Sequence, residues 1–248
     1  MKSKLGQNFL IDESVAEREV RYANIVKNDV VLEIGPGKGI LTKKLAEKAK
    51  KVIAIEIDKK LFDSLEKQMP DNVELIHDDA LEIDFEDLLK FNKIVANLPF
   101  QISSPITFKI LDYDFELAVL IYQKEFADRL IAKPRSKDYS RLTVNTYYKA
   151  NCELLEIIPS NCFEPQPKVD SSIIKMIKRK KHPFSVLNEE SFFRLVKILF
   201  NNRRKKIKNI LKTDIENVPF LNNRVEELSP CQIGELSNHL FSEKIKIN

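Results

Sequence analysis

Three features of the sequence predict an α/β protein. Between residues 30 and 123, short Val- and Ile-rich runs alternate with longer segments of helical period, as in β-α-β units around a parallel sheet. Three of the only five glycines fall together as Gly35, Gly37 and Gly39, directly after the first of those runs. After residue 178 the strand patterns stop and only helical ones follow.

Taken in order, the spacing predicts strands at 30–34, 52–57, 73–77, 93–97 and 116–123, with helices at 41–48, 59–69, 85–89 and 103–111 between them. A helical stretch at 141–148 precedes two more apolar runs, 153–158 and 172–177. Their spacing suits an antiparallel hairpin closing the sheet edge, which brings the expected strand number to about seven. The charged run Arg179-Lys180-Lys181-His182 ends at the helix-breaking Pro183 and marks a domain boundary. Residues 1–178 form the expected larger domain. Residues 179–248 form a small all-helical one, with helices at 191–200, 205–211, 226–228 and 233–240.

A length of 248 residues accommodates two such domains, and 43% apolar with 31% charged residues excludes an intrinsically disordered chain. No apolar run approaches the roughly 20 residues that span a bilayer. The opening Met1-Lys2-Ser3-Lys4 leads into no secretory apolar segment, so a cytoplasmic location is expected. Cys152, Cys162 and Cys231 show no paired spacing, and with three histidines no metal site is expected. The net charge of +4 is unevenly spread: from Lys175 to Lys212 thirteen Lys and Arg face only Glu189 and Glu190, so that stretch carries +11 and the remainder −7. Such a division points to a polyanionic partner, nucleic acid first, although a solvated Lys-rich face has the same composition.

Glu33-Ile34-Gly35-Pro36-Gly37-Lys38-Gly39 leaves a predicted strand and enters a predicted helix, where the backbone must turn tightly against a ligand. Its G-x-G-x-G spacing is neither the dinucleotide fingerprint nor a P-loop. It resembles the loop of S-adenosylmethionine-dependent methyltransferases, whose cofactor carries no phosphate. Glu56, at the end of the second strand, is placed to accept hydrogen bonds from both ribose hydroxyls of a nucleoside. Asp58 in the same turn is a candidate helix N-cap. After the third strand, Asp79 is the candidate acceptor for an adenine amino group, with Asp78 the alternative.

The fourth strand ends in Asn97-Leu98-Pro99-Phe100. An aromatic amine is a poor nucleophile because its lone pair is delocalised into the ring. An Asn side-chain oxygen and the Leu98 carbonyl can take its two hydrogens and aim that lone pair at a methyl donor. Phe100 can stack on an extruded base.

With both sites in place, the chain resembles the ribosomal RNA adenine dimethyltransferase family over nearly its whole length. Lys4-Leu5-Gly6-Gln7-Asn8-Phe9-Leu10 matches the family's opening motif, and the matches at 33–39, Glu56, Asp79 and 97–100 follow in the family's order. The segments 100–106, 163–171 and 200–205 extend it. The resemblance implies a Rossmann-like seven-stranded methyltransferase sheet and S-adenosylmethionine as cofactor. It implies cofactor contacts from Asn8, Leu10, Gly35, Gly37, Glu56, Asp79 and Asn97. Catalysis is implied at Asn97, Leu98, Pro99 and Phe100, with Phe163 facing Phe100 across the base; a core aromatic is the commoner fate of such a Phe. The implied substrate is a pair of adjacent adenines near the 3′ end of small-subunit ribosomal RNA, met by a monomer in an assembling subunit. Arg203, Arg204, Lys205 and Lys206 are the expected phosphate contacts, and no longer basic arm is expected ahead of Lys4. The rival readings are a large-subunit enzyme of the macrolide-resistance type and a non-enzymatic nucleic-acid binder on the same fold.

Overall fold

The computed structural model describes residues 7–211 and 217–243. Lys4, Leu5 and Gly6 of the opening motif and Lys212 of the basic stretch lie outside the described residues. The chain divides into two compact units, Met1–Ala127 with Cys152–Lys178, and Asp128–Asn151 with Arg179–Asn248.

The first unit is an α/β sheet domain. Its strands β2 (Val30–Ile34), β3 (Lys51–Glu56), β4 (Val73–His77), β5 (Lys93–Asn97), β6 (Leu117–Gln123), β7 (Ala150–Ile158) and β9 (Ser171–Lys178) form one seven-stranded sheet in the order β4-β3-β2-β5-β6-β9-β7. The first five run parallel, and β9 pairs antiparallel with β6, Leu117 opposite Ile177 and Gln123 opposite Ser171. Val31, Leu32, Val52, Ile94, Val95, Val119 and Leu120 are all fully buried. Burial on both faces explains why these strands read as near-continuous apolar runs. The intervening helices begin where the caps dictate: α3 (Lys59–Glu66) follows Asp58, whose carboxylate accepts from Lys60 N at 2.9 Å and Leu61 N at 3.3 Å. That settles Asp58 as a cap. Helix α2 (Ile40–Ala46) follows the glycine loop directly, and α4 (Ser103–Asp112) follows β5.

Several elements depart from the sequence expectation. A helix α1 (Glu13–Tyr22), capped by Asp12, precedes β2, and α5 (Lys124–Leu130) follows β6 without a break. The expected helix at 85–89 is a single tight turn, Phe85–Asp87. Two short strands, β1 (Phe9–Leu10) and β8 (Phe163–Glu164), form a separate antiparallel pair, Phe9 opposite Glu164 and Leu10 opposite Phe163.

The second unit is helical, with α6 (Arg141–Lys149), α7 (Glu189–Phe200), α8 (Ile207–Leu211) and α9 (Pro230–Ser242). It takes in residues 128–151, which the sequence division assigned to the first domain. The reason is packing: Tyr139 and Tyr148 are buried in one cluster with Phe192, Leu195, Leu228 and Ile233, and the Tyr139 hydroxyl donates to Leu228 O at 2.8 Å. The helix expected at 205–211 starts only at Ile207. Residues 203–206 are held instead as a turn against 224–226, with Lys206 bridged to Arg224 and Glu226 N donating to Arg203 O at 3.1 Å. The 226–228 segment is one tight turn, Val225–Glu227.

Candidate active site

The parallel strands reverse their order between β2 and β5, and open α/β sheets bind ligands at the carboxyl ends of strands at such a point. A cavity of about 270 Å³ opens there. Each of β2, β3, β4 and β5 contributes its C-terminal end: Gly35 and Gly37 after β2, Glu56 at the end of β3, Asp78 and Asp79 after β4, and Asn97 at the end of β5. Asn8 and Leu10 line it from β1 and the residue before it. The structure thus brings every cofactor-site candidate named from the sequence to one cavity.

The glycine loop turns with positive φ at both positions that face the cavity, +70° at Gly35 and +58° at Gly37. A Cβ on Gly35 would stand 3.2 Å from Pro99 Cγ, and one on Gly37 3.0 Å from Phe9 Cδ1. Only glycine satisfies both the backbone conformation and the close approach. Glu56 is 2% exposed. Its Oε2 accepts from Gly37 N at 3.1 Å and its Oε1 from Asp58 N at 2.9 Å, so loop and strand end are fixed on one carboxylate. Burial pushes its pKa up, against those two backbone hydrogen bonds. One residue on, Ile57 is a half-exposed apolar side chain in the cavity wall, a feature the sequence reading passed over. Asp79 spends Oδ1 on Leu81 N at 2.8 Å, and Asp78 spends Oδ1 on Asp79 N at 2.7 Å. Each keeps its second oxygen for other partners, and Asp79 is the less exposed of the two.

Glu33, the first residue of the glycine motif, also lines the cavity and is 1% exposed. Burial raises its carboxyl to about 8, tempered by the Thr42 hydroxyl and reinforced by the Glu56 charge.

Asn97 presents the most telling atom. Its Oδ1 is buried with no hydrogen-bond partner. Buried acceptors in folded proteins are nearly always satisfied, so an orphan at a cavity wall signals a donor supplied by a ligand. Leu98 beside it is 1% exposed and anchors the turn, while Pro99 packs on Gly35. Phe100 follows in a tight turn and meets Phe163 edge-on, with centroids 6.4 Å apart and planes at 64°. Phe163 is itself 2% exposed and belongs to the core. The two rings therefore stand in contact and do not flank an open slot.

The β1–β8 pair was invisible in the sequence, yet it carries Phe163 and borders the cavity. Asn8 Nδ2 donates to Pro165 O at 2.5 Å, and Lys38 of the glycine loop pairs with Glu164 at 2.9 Å while lying 5.4 Å over the Phe9 ring.

In the helical unit the four basic candidates separate. Arg203 Nε pairs with Glu226 at 3.0 Å, and its Nη1 donates to the carbonyls of Lys137 at 2.5 Å and Tyr139 at 3.2 Å. Arg204, Lys205 and Lys206 are exposed. No group of His, Cys, Asp and Glu suited to a metal ion occurs among the described residues, and no helix among them is long and apolar enough to cross a membrane.

The donor set fits S-adenosylmethionine: the cavity is lined by a buried carboxylate at the end of β3 and two more carboxylates after β4, acceptors of the kind a nucleoside's hydroxyls and amine require. Fold and site together define a Rossmann-like, S-adenosylmethionine-dependent methyltransferase. The family described as ribosomal RNA adenine dimethylase matches residues 1–239. The chain belongs to that family. A relative from Thermococcus sibiricus, named probable ribosomal RNA small subunit methyltransferase A, is 47% identical over 98% of this chain and 93% of its own length. Among solved structures, a dimethyladenosine transferase from Plasmodium falciparum superposes with a TM-score of 0.84 at 29% identity, covering 97% of this chain and all of its own. The 23S rRNA methyltransferase ErmE gives 0.72 at 28% identity, covering 94% of this chain and all of its own.

Proposed function

We propose that this protein dimethylates N6 of two adjacent adenines near the 3′ end of small-subunit ribosomal RNA, acting in the cytoplasm as a monomer on an assembling subunit. The unpartnered, buried Oδ1 of Asn97 carries this reading. With the Leu98 carbonyl it accepts the two amine hydrogens, which draws the nitrogen lone pair out of the ring and toward the donor pocket. Bound S-adenosylmethionine supplies the electrophilic methyl group. Phe100 stacks on the extruded base, its ring braced edge-on by the buried Phe163. Asn8, Leu10, Gly35, Gly37, Glu56 and Asp79 hold the cofactor, Glu56 on the ribose and Asp79 on the adenine amine.

The small-subunit branch is supported over the large-subunit type by the higher identity of the Thermococcus relative, named a small-subunit enzyme, against the weaker likeness to ErmE. A purely nucleic-acid-binding role would leave Asn97, Glu56 and Asp79 converging on one cavity without purpose. Methyl transfer to bare small-subunit RNA and to particles, with the modified bases mapped, tests the proposal. Dimethyladenine at two neighbouring positions is expected. Modification of large-subunit RNA instead, or none of either, overturns it.

RNA is held through phosphates by the helical unit. Of the basic residues there, Arg204, Lys205 and Lys206 are the exposed contacts, and Arg203 braces the turn that presents them. Neutralising the three exposed residues is expected to weaken RNA binding and to lower the slope of log affinity against log salt by about one unit for each charge removed. Cofactor affinity should not move. An unaltered slope would reduce this segment to a solvated surface.

A further inference from the structure

The short pair β1–β8 stands apart from the seven-stranded sheet, and it gives the cavity one of its walls through Asn8, Phe9 and Leu10. This wall is tied to β8: Phe9 is in register with Glu164 and Leu10 with Phe163, Ile11 N donates to Cys162 O at 2.9 Å, and Asn8 Nδ2 donates to Pro165 O at 2.5 Å. The glycine loop is a second wall. The two meet where Phe9 packs against Gly37, so closely that a Cβ on that glycine would stand 3.0 Å from Phe9 Cδ1. Lys38 sits at this seam. Its Nζ donates to Glu164 Oε2 at 2.9 Å and lies 5.4 Å over the Phe9 ring, so one side chain of the loop holds both strands of the pair at once.

We propose that Lys38 and Glu164 form a latch that positions the β1–β8 flap against the glycine loop and so sets the shape of the methyl-donor pocket before the ligand arrives. Both are positioning residues, acting through Asn8, Phe9 and Leu10. The inference rests on the assignment of the cavity to S-adenosylmethionine. The exposure of the pair points to position and not to stability: the two side chains are 46% and 65% exposed, and ion pairs so open to water add little to folding. What the latch fixes is geometry. Its loop end is held from behind, because Gly37 N donates to the buried Glu56 carboxylate at 3.1 Å. Its flap end adjoins Phe163, a core ring that is 2% exposed. A bridge between two anchored points preorganises the wall, and a ligand that must first order a loose wall binds more weakly. Once the ligand is seated, the chemical step no longer depends on the latch.

The test is a double-mutant cycle on the full chain with Lys38→Met, which keeps an apolar stem of similar length, and Glu164→Gln, read by calorimetric titration with S-adenosylmethionine. Each single variant is expected to bind about two- to fivefold more weakly, the range open to one exposed ion pair. The double variant should be no weaker than Lys38→Met alone, because the partner of the second change is already gone. Single-turnover methyl transfer at saturating RNA and cofactor should stay at the wild-type rate in all three. In the ligand-free protein, hydrogen exchange at the Ile11 amide, which donates across the pair, should quicken in both single variants, with the melting temperature near wild type. If Lys38 instead touched the ligand directly, Glu164→Gln would leave affinity unchanged and the two substitutions would add; that result overturns the latch. So do wild-type affinity in Lys38→Met, a fall in the saturated rate, or Ile11 exchange that neither variant alters. These outcomes leave the cavity assignment standing, whereas a wild-type protein that does not bind S-adenosylmethionine overturns that assignment and the latch with it.

Discussion

Asn97→Ala is expected to slow single-turnover methyl transfer on the order of 10²–10³-fold or more, the loss seen when one preorganised polar group is deleted from an active site. Melting temperature and RNA affinity should stay near wild type. The stability half of this expectation comes from the structure: Oδ1 of Asn97 has no partner in the folded protein, so its removal breaks no native bond at that atom and relieves a buried, unsatisfied acceptor. The kinetic half comes from its place at the end of β5 beside the donor cavity, with the Leu98 turn fixed by burial and by Pro99 against Gly35. An acceptor at that point polarises the amine most as the nitrogen pyramidalises and gains positive charge, so its worth grows toward the transition state. Adenine, monomethyladenine and dimethyladenine are quantified after digestion, at saturating RNA and cofactor. Because the monomethylated amine has one hydrogen left to donate, the two transfers should respond unequally. A variant that completes both at the wild-type rate would remove Asn97 from catalysis.

That these residues meet at one cavity was legible in the sequence because the signals are local. Glycine at three alternate positions after a strand marks a backbone that turns tightly and comes close to a ligand. Glu56, Asp79 and Asn97 each sit one strand-end further along, where the α/β topology gathers side chains automatically. What stayed hidden depends on partners far away in the chain. The β1–β8 pair joins residues some 150 positions apart, and two-residue strands carry no period. Helix α1 escaped because Glu19 stands in the middle of its buried stripe of Val15, Ala16 and Val20, where an apolar residue would have completed the pattern. The cap at Asp12, accepting from Ser14 N at 2.9 Å, was the signal that could have found it. Residues 128–151 joined the helical unit through Tyr139 and Tyr148, which share a cluster with Phe192, Leu195, Leu228 and Ile233 from beyond residue 180. Among the basic residues, composition gave Arg203 and Arg204 equal weight. The Glu226 carboxylate, which only the fold brings alongside, separates them.

Glu56→Ala is expected to weaken S-adenosylmethionine binding on the order of 10²-fold or more, since two charge-assisted hydrogen bonds to the ribose, each worth about 1.5–3 kcal/mol, are lost together. The geometry adds a second route to the same loss. The carboxylate also holds Gly37 N at 3.1 Å and Asp58 N at 2.9 Å, so alanine frees the glycine loop and the cap turn that shape the pocket. Glu56→Gln distinguishes the routes. An amide offers only one acceptor oxygen, so it can satisfy one of the two backbone donors but must turn its NH₂ toward the other. Affinity in Glu56→Gln should therefore fall nearly as far as in alanine, while the melting temperature of the ligand-free protein drops less. A purely structural role would instead make affinity and melting temperature fall in proportion in both variants. Calorimetry with S-adenosylmethionine and thermal unfolding of the ligand-free chains supply the two numbers. Wild-type affinity in Glu56→Ala would displace the nucleoside from the end of β3 and, with it, the orientation of the methyl donor toward Asn97.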